Sequence, residues 1–519
     1  MNAPRPVSQA LAVLTLVCAL VASGCSNSLP TSEELVPGSP ASDDANAGNW
    51  RMIVVSGPGQ FPVAAPAPVA SDAYQSELAS IKTAQANLTD AQQETIDYWS
   101  GGSVLRWNQI LRELVARYNL PPAPRDDDSY VFPDANNPFA DPQFPFANPP
   151  YAARAYSYVA LAQFEALKVA WAYKYQYNRP APYQVDGGIR SLMPATEVPA
   201  YPSEDAVLSG VSTELLRLLF PAAVEEITRK AGAEREAALL SGRAAASDIA
   251  AGLALGRAVA AVFVARAGAD GMGAAIGNAA QWQALANAAA ARGEVPWVSL
   301  ESPPRPPMLP NFGQVRAWMM TPSDVAKERP GPPPSTSSAQ MQQELADVKN
   351  TVDNLSREQL RVALHWNDGA GTYTPPGHWN DIAAEYVSNA RFSEVRAARA
   401  FALLNMAMHD AAVGCWDAKY AYFNPRPSQL DRSIKTSIGL PNFPAYTSGH
   451  STFSAAASTV LSYLFTSGAA SFEAMKDEAG ISRLYGAIHY RADIEAGKEH
   501  GKRIGAYTVS FARQDGADN

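Results

Sequence analysis

Ala397-Ala398-Arg399-Ala400, followed by Trp416, Lys419, Tyr420 and Tyr422, repeats Ala152-Ala153-Arg154-Ala155 with Trp171, Lys174, Tyr175 and Tyr177, every position displaced by 245 residues. The register continues through Pro199-Ala200-Tyr201 against Pro444-Ala445-Tyr446, Leu219-Phe220 against Leu464-Phe465, and Asp248-Ile249 against Asp493-Ile494. Alanine bias does not place Trp, Lys and Tyr at fixed spacing, so the match is an internal duplication. Upstream, Arg106-Trp107-Asn108 resembles His378-Trp379-Asn380 at a displacement of 272. The extra 27 residues place a longer connection in the first copy, over the Asp- and Pro-rich run from Pro121 to Pro150.

The repeated segments read as helices. Ala, Leu and Met dominate Val395 to Cys415 and Ser451 to Phe465, with apolar residues three and four apart. The expected fold is all-α, two tandem four-helix-bundle-like units related by duplication. The expected boundaries are a signal segment over 1–24, a tether over 25–90, an N-terminal degenerate bundle over 91–301, a Pro-rich linker over 302–340, and a C-terminal catalytic bundle over 341–519.

The 519 residues are 47% hydrophobic and only 18% charged, which suits large buried faces and excludes disorder throughout. A net charge of -9 supplies no electrostatic footprint for nucleic acid, so any anion must be held by a local cluster of cations. All six histidines lie at or beyond His365. Cys18 and Cys25 fall in the N-terminal segment, which leaves Cys415 alone, and the expectation there is a small buried hydrophobe.

Arg5, the apolar stretch from Leu11 to Val21 and Ala22-Ser23-Gly24-Cys25 form the pattern of a cleaved signal. The small residues before Cys25 resemble a bacterial lipobox, which implies export and a lipid anchor at Cys25, on the periplasmic or surface side of the cell envelope. After residue 25 the apolar runs are short or interrupted, as Ala250 to Ala265 is by Arg257, so no membrane-spanning helix is expected there.

Three segments of the second copy carry the candidate chemistry. They are Lys419 with Arg426-Pro427, Ser448-Gly449-His450, and Arg483 with His489 and Asp493. Lys419, Arg426 and Arg483 bring three cations, two of them planar forks that match tetrahedral oxyanions. Ser448 and the Gly449 amide sit at an expected helix N-terminus, where unpaired N–H groups favour an anion. His489 and Asp493 are four apart, so the carboxylate can orient the imidazole, leaving its other nitrogen to attack phosphorus or ligate a metal. His450 beside the cradle is placed to move a proton to or from a leaving oxygen.

The ordered set Lys-x6-Arg-Pro, Ser-Gly-His and Arg-x5-His-x3-Asp resembles the signature shared by vanadium-dependent haloperoxidases and type 2 phosphatidic acid phosphatases. Similarity to the haloperoxidase branch extends over His365-Trp366-Asn367-Asp368-Gly369, Thr374-Pro375-Pro376 and Trp379-Asn380, and to Trp416 and Phe443, which resemble aromatics lining the fungal chloroperoxidase pocket. The resemblance implies a vanadium chloroperoxidase-like fold and a vanadate cofactor. Lys419, Arg426, Ser448, Gly449 and Arg483 would hold the vanadate oxygens, His489 would be the metal ligand, and His450 the acid–base group. Hydrogen peroxide and halide would be the substrates, with Lys419 polarising the peroxide. In a soluble acid phosphatase the same pocket would hold a phosphomonoester without a cofactor, with His489 as nucleophile. A binding lipoprotein without activity is a third reading, opposed by the complete second-copy set. An exposed edge of a two-bundle protein also allows a homodimer.

At the 245 displacement Ser448-Gly449-His450 faces Ser203-Glu204-Asp205, Arg483 faces Ala238, His489 faces Ala244 and Arg426 faces Ala181, so the first copy is expected to be a structural partner whose carboxylates repel anions. His409 reads as a hydrogen-bonded core residue, and His365, His378 and His500 as structural or exposed. The sequence contains no HExxH, CxxC or GxSxG pattern.

Overall fold

The computed structural model describes residues 35–122, 124–130 and 148–517. The signal segment, Cys25 and the start of the expected tether lie outside the described residues, as does residues 131–147 of the Asp- and Pro-rich run.

The first copy comprises α1 (Asp72–Ala86), α2 (Asp90–Trp99), α3 (Ser103–Tyr118), α4 (Pro149–Tyr177), α5 (Glu204–Leu219), α6 (Val224–Leu240) and α7 (Ala246–Gly268). The second comprises α8 (Ala339–Asp353), α9 (Arg357–His365), α10 (Thr374–Asn389), α11 (Glu394–Tyr422), α12 (Gly449–Leu464), α13 (Ala469–Tyr485) and α14 (Arg491–Ala512). From α4 and α11 onward every helix starts 245 residues after its counterpart, and no strand occurs among the described residues. The fold is therefore all-α and duplicated. The first-copy connection from α3 to α4 runs over 119–148, against 390–393 in the second copy.

Local signals repeat with the fold. Thr89 with Gln92 and Ser356 with Gln359 form capping boxes at the starts of α2 and α9. Asn178 and Phe423, both left-handed, end α4 and α11 by donating to Lys174 O and Lys419 O. Buried Arg154 pairs with Asp270 and buried Arg399 with Asp515, each at 2.7 Å.

The duplication reaches further upstream than the sequence reading placed it. Residues 35–90 are not a free tether, because α1 is the counterpart of α8 and the segment before it is packed. Neither is 302–340 a free linker. Glu165 on α4 accepts from the N–H groups of Ile53, Val54 and Val55, and its counterpart Asp410 on α11 accepts from Trp318 and Met319. The Arg51 N–H reaches Asp515 O and the Arg316 N–H reaches Asp270 O, each at 2.8 Å. These Pro-rich segments are two copies of one strap, whose backbone donors are satisfied by buried helix carboxylates rather than by secondary structure. Pro and Gly content alone reads as a linker and hides this.

The two copies also share one continuous hydrophobic core, in which α4 packs along α11. At the seam the Asn108 amide donates to Asn380 Oδ1 at 2.8 Å, and Asn380 donates to Asn405 Oδ1 at 2.7 Å. The helix that begins at Ala246 is long and apolar enough to cross a membrane by length and composition, contrary to the sequence expectation. Here it packs against α5, with Gly252, Leu255, Gly256, Val259 and Phe263 buried.

Gly256 on α7 and Gly501 on α14 make the closest approaches. A Cβ at Gly256 would meet Val207 O at 2.2 Å, and one at Gly501 would meet Thr452 O at 2.1 Å. Glycine thus lets α14 lie against α12, the helix that starts at the Ser-Gly-His motif. Gly501→Ala should destabilise the protein by about 2 kcal/mol or more in urea denaturation, from overpacking. Gly232→Ala, where a Cβ meets nothing within 4 Å, should be neutral or stabilising by up to about 1 kcal/mol.

Candidate active site

Four local features bring the second-copy motifs together. The last turn of α11 presents Lys419, the turn after Phe423 presents Arg426, the end of α13 presents Arg483, and the loop into α14 presents His489. Ser448 caps α12 by accepting from the Ser451 N–H at 3.4 Å, and its own N–H donates to Asp493 O at 3.0 Å, tying the starts of α12 and α14 together.

The three cations are buried and donate to backbone carbonyls. Lys419 Nζ donates to Pro444 O and Ala445 O, each at 2.9 Å, and to Thr447 O. Arg426 donates to Phe443 O at 2.9 and 3.0 Å and to Ile488 O at 2.8 Å, while Arg483 donates to Trp366 O. Phe443 lies beneath two of them, its ring centroid 5.0 Å from Lys419 Nζ and 5.1 Å from the Arg426 guanidinium carbon. None of the three makes a salt bridge to a carboxylate among the described residues. Burial lowers Lys419 to about 7, and lowers Arg426 and Arg483 to about 10 each.

His489 is held in one tautomer. Arg426 Nη1 lies 2.9 Å from Nε2, and a guanidinium only donates, so Nε2 carries the lone pair. Nδ1 then bears the proton and donates to Asp493 Oδ2 at 2.9 Å. Burial and the charges of Arg426, Lys419 and Arg483 hold His489 well below its ordinary pKa, so it is neutral. Burial raises Asp493 to about 7.

Gly449, His450, Arg483 and His489 line a cavity of about 420 Å³ that also meets Trp416 and Phe443. A Cβ at Gly449 would meet only Phe453, at 3.8 Å. Packing therefore does not demand glycine there; the space beside it belongs to the cavity. Three buried cations with no directly paired carboxylate among the described residues, a helix N-terminus and open space at Gly449 fit a tetrahedral oxyanion such as vanadate or phosphate.

A family model described as the VCPO second helical-bundle domain matches residues 468–516, the stretch that carries Arg483, His489 and Asp493. Among solved structures, a bacterial vanadium-dependent iodoperoxidase is similar at 24% identity and a TM-score of 0.52, covering 70% of this chain and 91% of its own. A holo-type bacterial vanadium-dependent chloroperoxidase is similar at 12% identity and a TM-score of 0.51, covering 76% of this chain and 96% of its own. The fold is that of the vanadium haloperoxidases. No curated protein matches the chain in sequence.

Within this haloperoxidase fold the first copy holds the same framework with its pocket filled. The Ser203 N–H donates to Asp248 O at 3.0 Å, as Ser448 does to Asp493 O. Lys174, the counterpart of Lys419, pairs with Glu204, which stands where Gly449 does. Arg243 reaches Glu204 at 2.9 Å, and Arg179 pairs with Asp248 at 2.8 Å. The cavity lined by Trp171, Val198 and Glu204 is only about 90 Å³. The repulsion expected of Glu204 and Asp205 takes a concrete form: Glu204 is itself the anion of that pocket.

Of the sequence-derived site residues, Gly449, His450, Arg483 and His489 line the cavity with Trp416 and Phe443, which are 5.0 Å apart, while Lys419, Arg426, Ser448 and Asp493 are tied in behind them through Thr447 O, His489 and the Ser448 N–H. Cys415 is buried and free. His409 stays in the core against Phe312 and Trp318. Two residues outside the candidate site set belong beside it, Asp368 of the haloperoxidase-like stretch and buried His378, expected to be structural or exposed: Asp368 lies 3.5 Å from His450 Nε2 and 3.1 Å from His378 Nδ1. The signal was the Asp368-Gly369 turn after Trp366, whose ten-residue distance to His378 matches no helical spacing.

Oxyanion affinity should fall as pH rises through about 7, because deprotonated Lys419 loses its charge. Lys419→Met should bind orthovanadate about tenfold more weakly at pH 6, the worth of one charge-assisted hydrogen bond, and lose most of that pH dependence. Calorimetric titration at several pH values checks both.

Proposed function

We propose that the chain is a vanadate-dependent haloperoxidase that oxidises halide with hydrogen peroxide. The observation that carries this reading is the set of three buried cations around a neutral His489 with no carboxylate of their own, inside a haloperoxidase fold. Bound vanadate would activate hydrogen peroxide toward halide. Lys419, Arg426, Arg483, Ser448 and the Gly449 amide would hold its oxygens, and His489 Nε2 would be its protein ligand. Arg426 guards the Nε2 lone pair in the free protein, and Asp493 keeps the proton on Nδ1.

His450 is the proton carrier. Burial and the charge of Arg483 lower it to about 4, so its imidazole is neutral and able to accept a proton. Asp368 beside Nε2 favours the proton there and leaves Nδ1 for exchange. Trp416 and Phe443 give halide an apolar wall near Lys419, where a poorly hydrated anion loses little. Export and lipid anchoring at Cys25 belong to this proposal on sequence grounds alone.

The same cradle holds phosphate, so the deciding assay is paired. The full mature protein should halogenate a phenolic acceptor with peroxide and added orthovanadate. Phosphomonoester hydrolysis without halogenation would replace this reading with the acid phosphatase, and absence of both would favour a binding protein. His489→Ala should lower halogenation at least about a hundredfold, since it removes the ligand; an unimpaired variant would refute the site.

A further inference from the structure

Asp368 lies between two imidazoles. Its carboxylate is 5% exposed, with His378 Nδ1 3.1 Å from Oδ1 and His450 Nε2 3.5 Å from Oδ2. The residue sits at φ 46°, a left-handed turn that a non-glycine adopts at a cost. Something must hold it there. His378 comes from α10 and is itself fixed, stacked on Trp366 at 4.3 Å and 23° and meeting the His365 ring at 5.0 Å. The carbonyl of Trp366 accepts from Arg483, so one residue braces both the cradle and His378.

We infer that His378 is a positioning residue that fixes the Asp368 carboxylate and, through it, the ring of His450 at the wall of the cavity. A carboxylate bonded on one side by His378 cannot turn fully toward His450. The 3.5 Å separation is long for a hydrogen bond, so Asp368 steers the Nε2 edge of His450 by its charge and a loose contact rather than by a close bond. The device keeps His450 oriented without locking it into an ion pair, so its proton stays exchangeable. It rests on His450 as the proton carrier proposed above.

The surrounding charges agree. His378 faces Asp368, His365, Tyr373 and Asp381, the last paired with Arg112 at 2.6 Å. Burial opposes charge on His378, but the hydrogen bond and charge of Asp368 outweigh it and raise its pKa. His450 faces Asp368, Arg483, His378 and His489. Without His378, Asp368 would turn to His450 and stabilise its imidazolium.

The test is the 15N ring spectrum of the six histidines in the full mature chain, titrated without vanadate, with His450→Asn assigning the resonance. His378→Phe keeps the stack on Trp366 and removes the donor; His378→Asn keeps a donor and removes the stack. The His450 midpoint should rise by about one pH unit in His378→Phe, a tenfold change in its proton affinity, and stay near wild type in His378→Asn. A shift in neither variant, the same shift in both, or a shift only in His378→Asn would overturn the proposal. Because the readout needs no turnover, its failure and failure of the haloperoxidase reading are distinguishable.

Discussion

Lys419, Arg426 and Arg483 are buried and donate hydrogen bonds to backbone carbonyls, and no carboxylate pairs with them directly among the described residues. Desolvating each charge costs several kcal/mol, against a total stability of about 5–15 kcal/mol for a folded protein. A structure that maintains such a cluster must offset it elsewhere, and most of the molecule does so. The continuous core, the buried Arg399–Asp515 pair and the strap held by Asp410 brace α11, which carries Lys419, and the Arg154–Asp270 pair and the strap held by Glu165 brace α4, which packs along it. The deficit of negative charge is local, and a bound oxyanion would remove it.

The first copy shows the alternative solution to the same problem. Its Lys174 and Arg243 are answered from within by Glu204, so it gains an internal salt-bridge network and loses a ligand pocket. Glu204 stands where Gly449 does, and Ala238 and Ala244 stand where Arg483 and His489 do, so the first pocket both holds its own anion and lacks the groups that line the second. The filled copy then serves the open copy, lending α4 as the long wall against which α11 packs.

Much of this was legible in the sequence. The 245-residue displacement set the duplication, and the three motifs brought Gly449, Arg483 and His489 to one cavity and tied Lys419, Arg426, Ser448 and Asp493 to its wall, because each motif spans a turn whose spacing fixes which side chains meet. The straps were not legible. Their order comes from Glu165 and Asp410, more than 90 residues distant in sequence, and Pro-rich segments carry no periodic signal of their own. Asp368 and His378 were missed for a similar reason: a left-handed turn joins them to His450 across three separate segments.

On this reading the chain has one oxyanion cradle, open in the second copy and self-filled in the first. Equilibrium binding of orthovanadate to the full mature protein measures it directly. One equivalent per chain is the expected result. Two equivalents would contradict the reading of Glu204 as the anion of the first pocket, and none would contradict the reading of the three buried cations as a site at all.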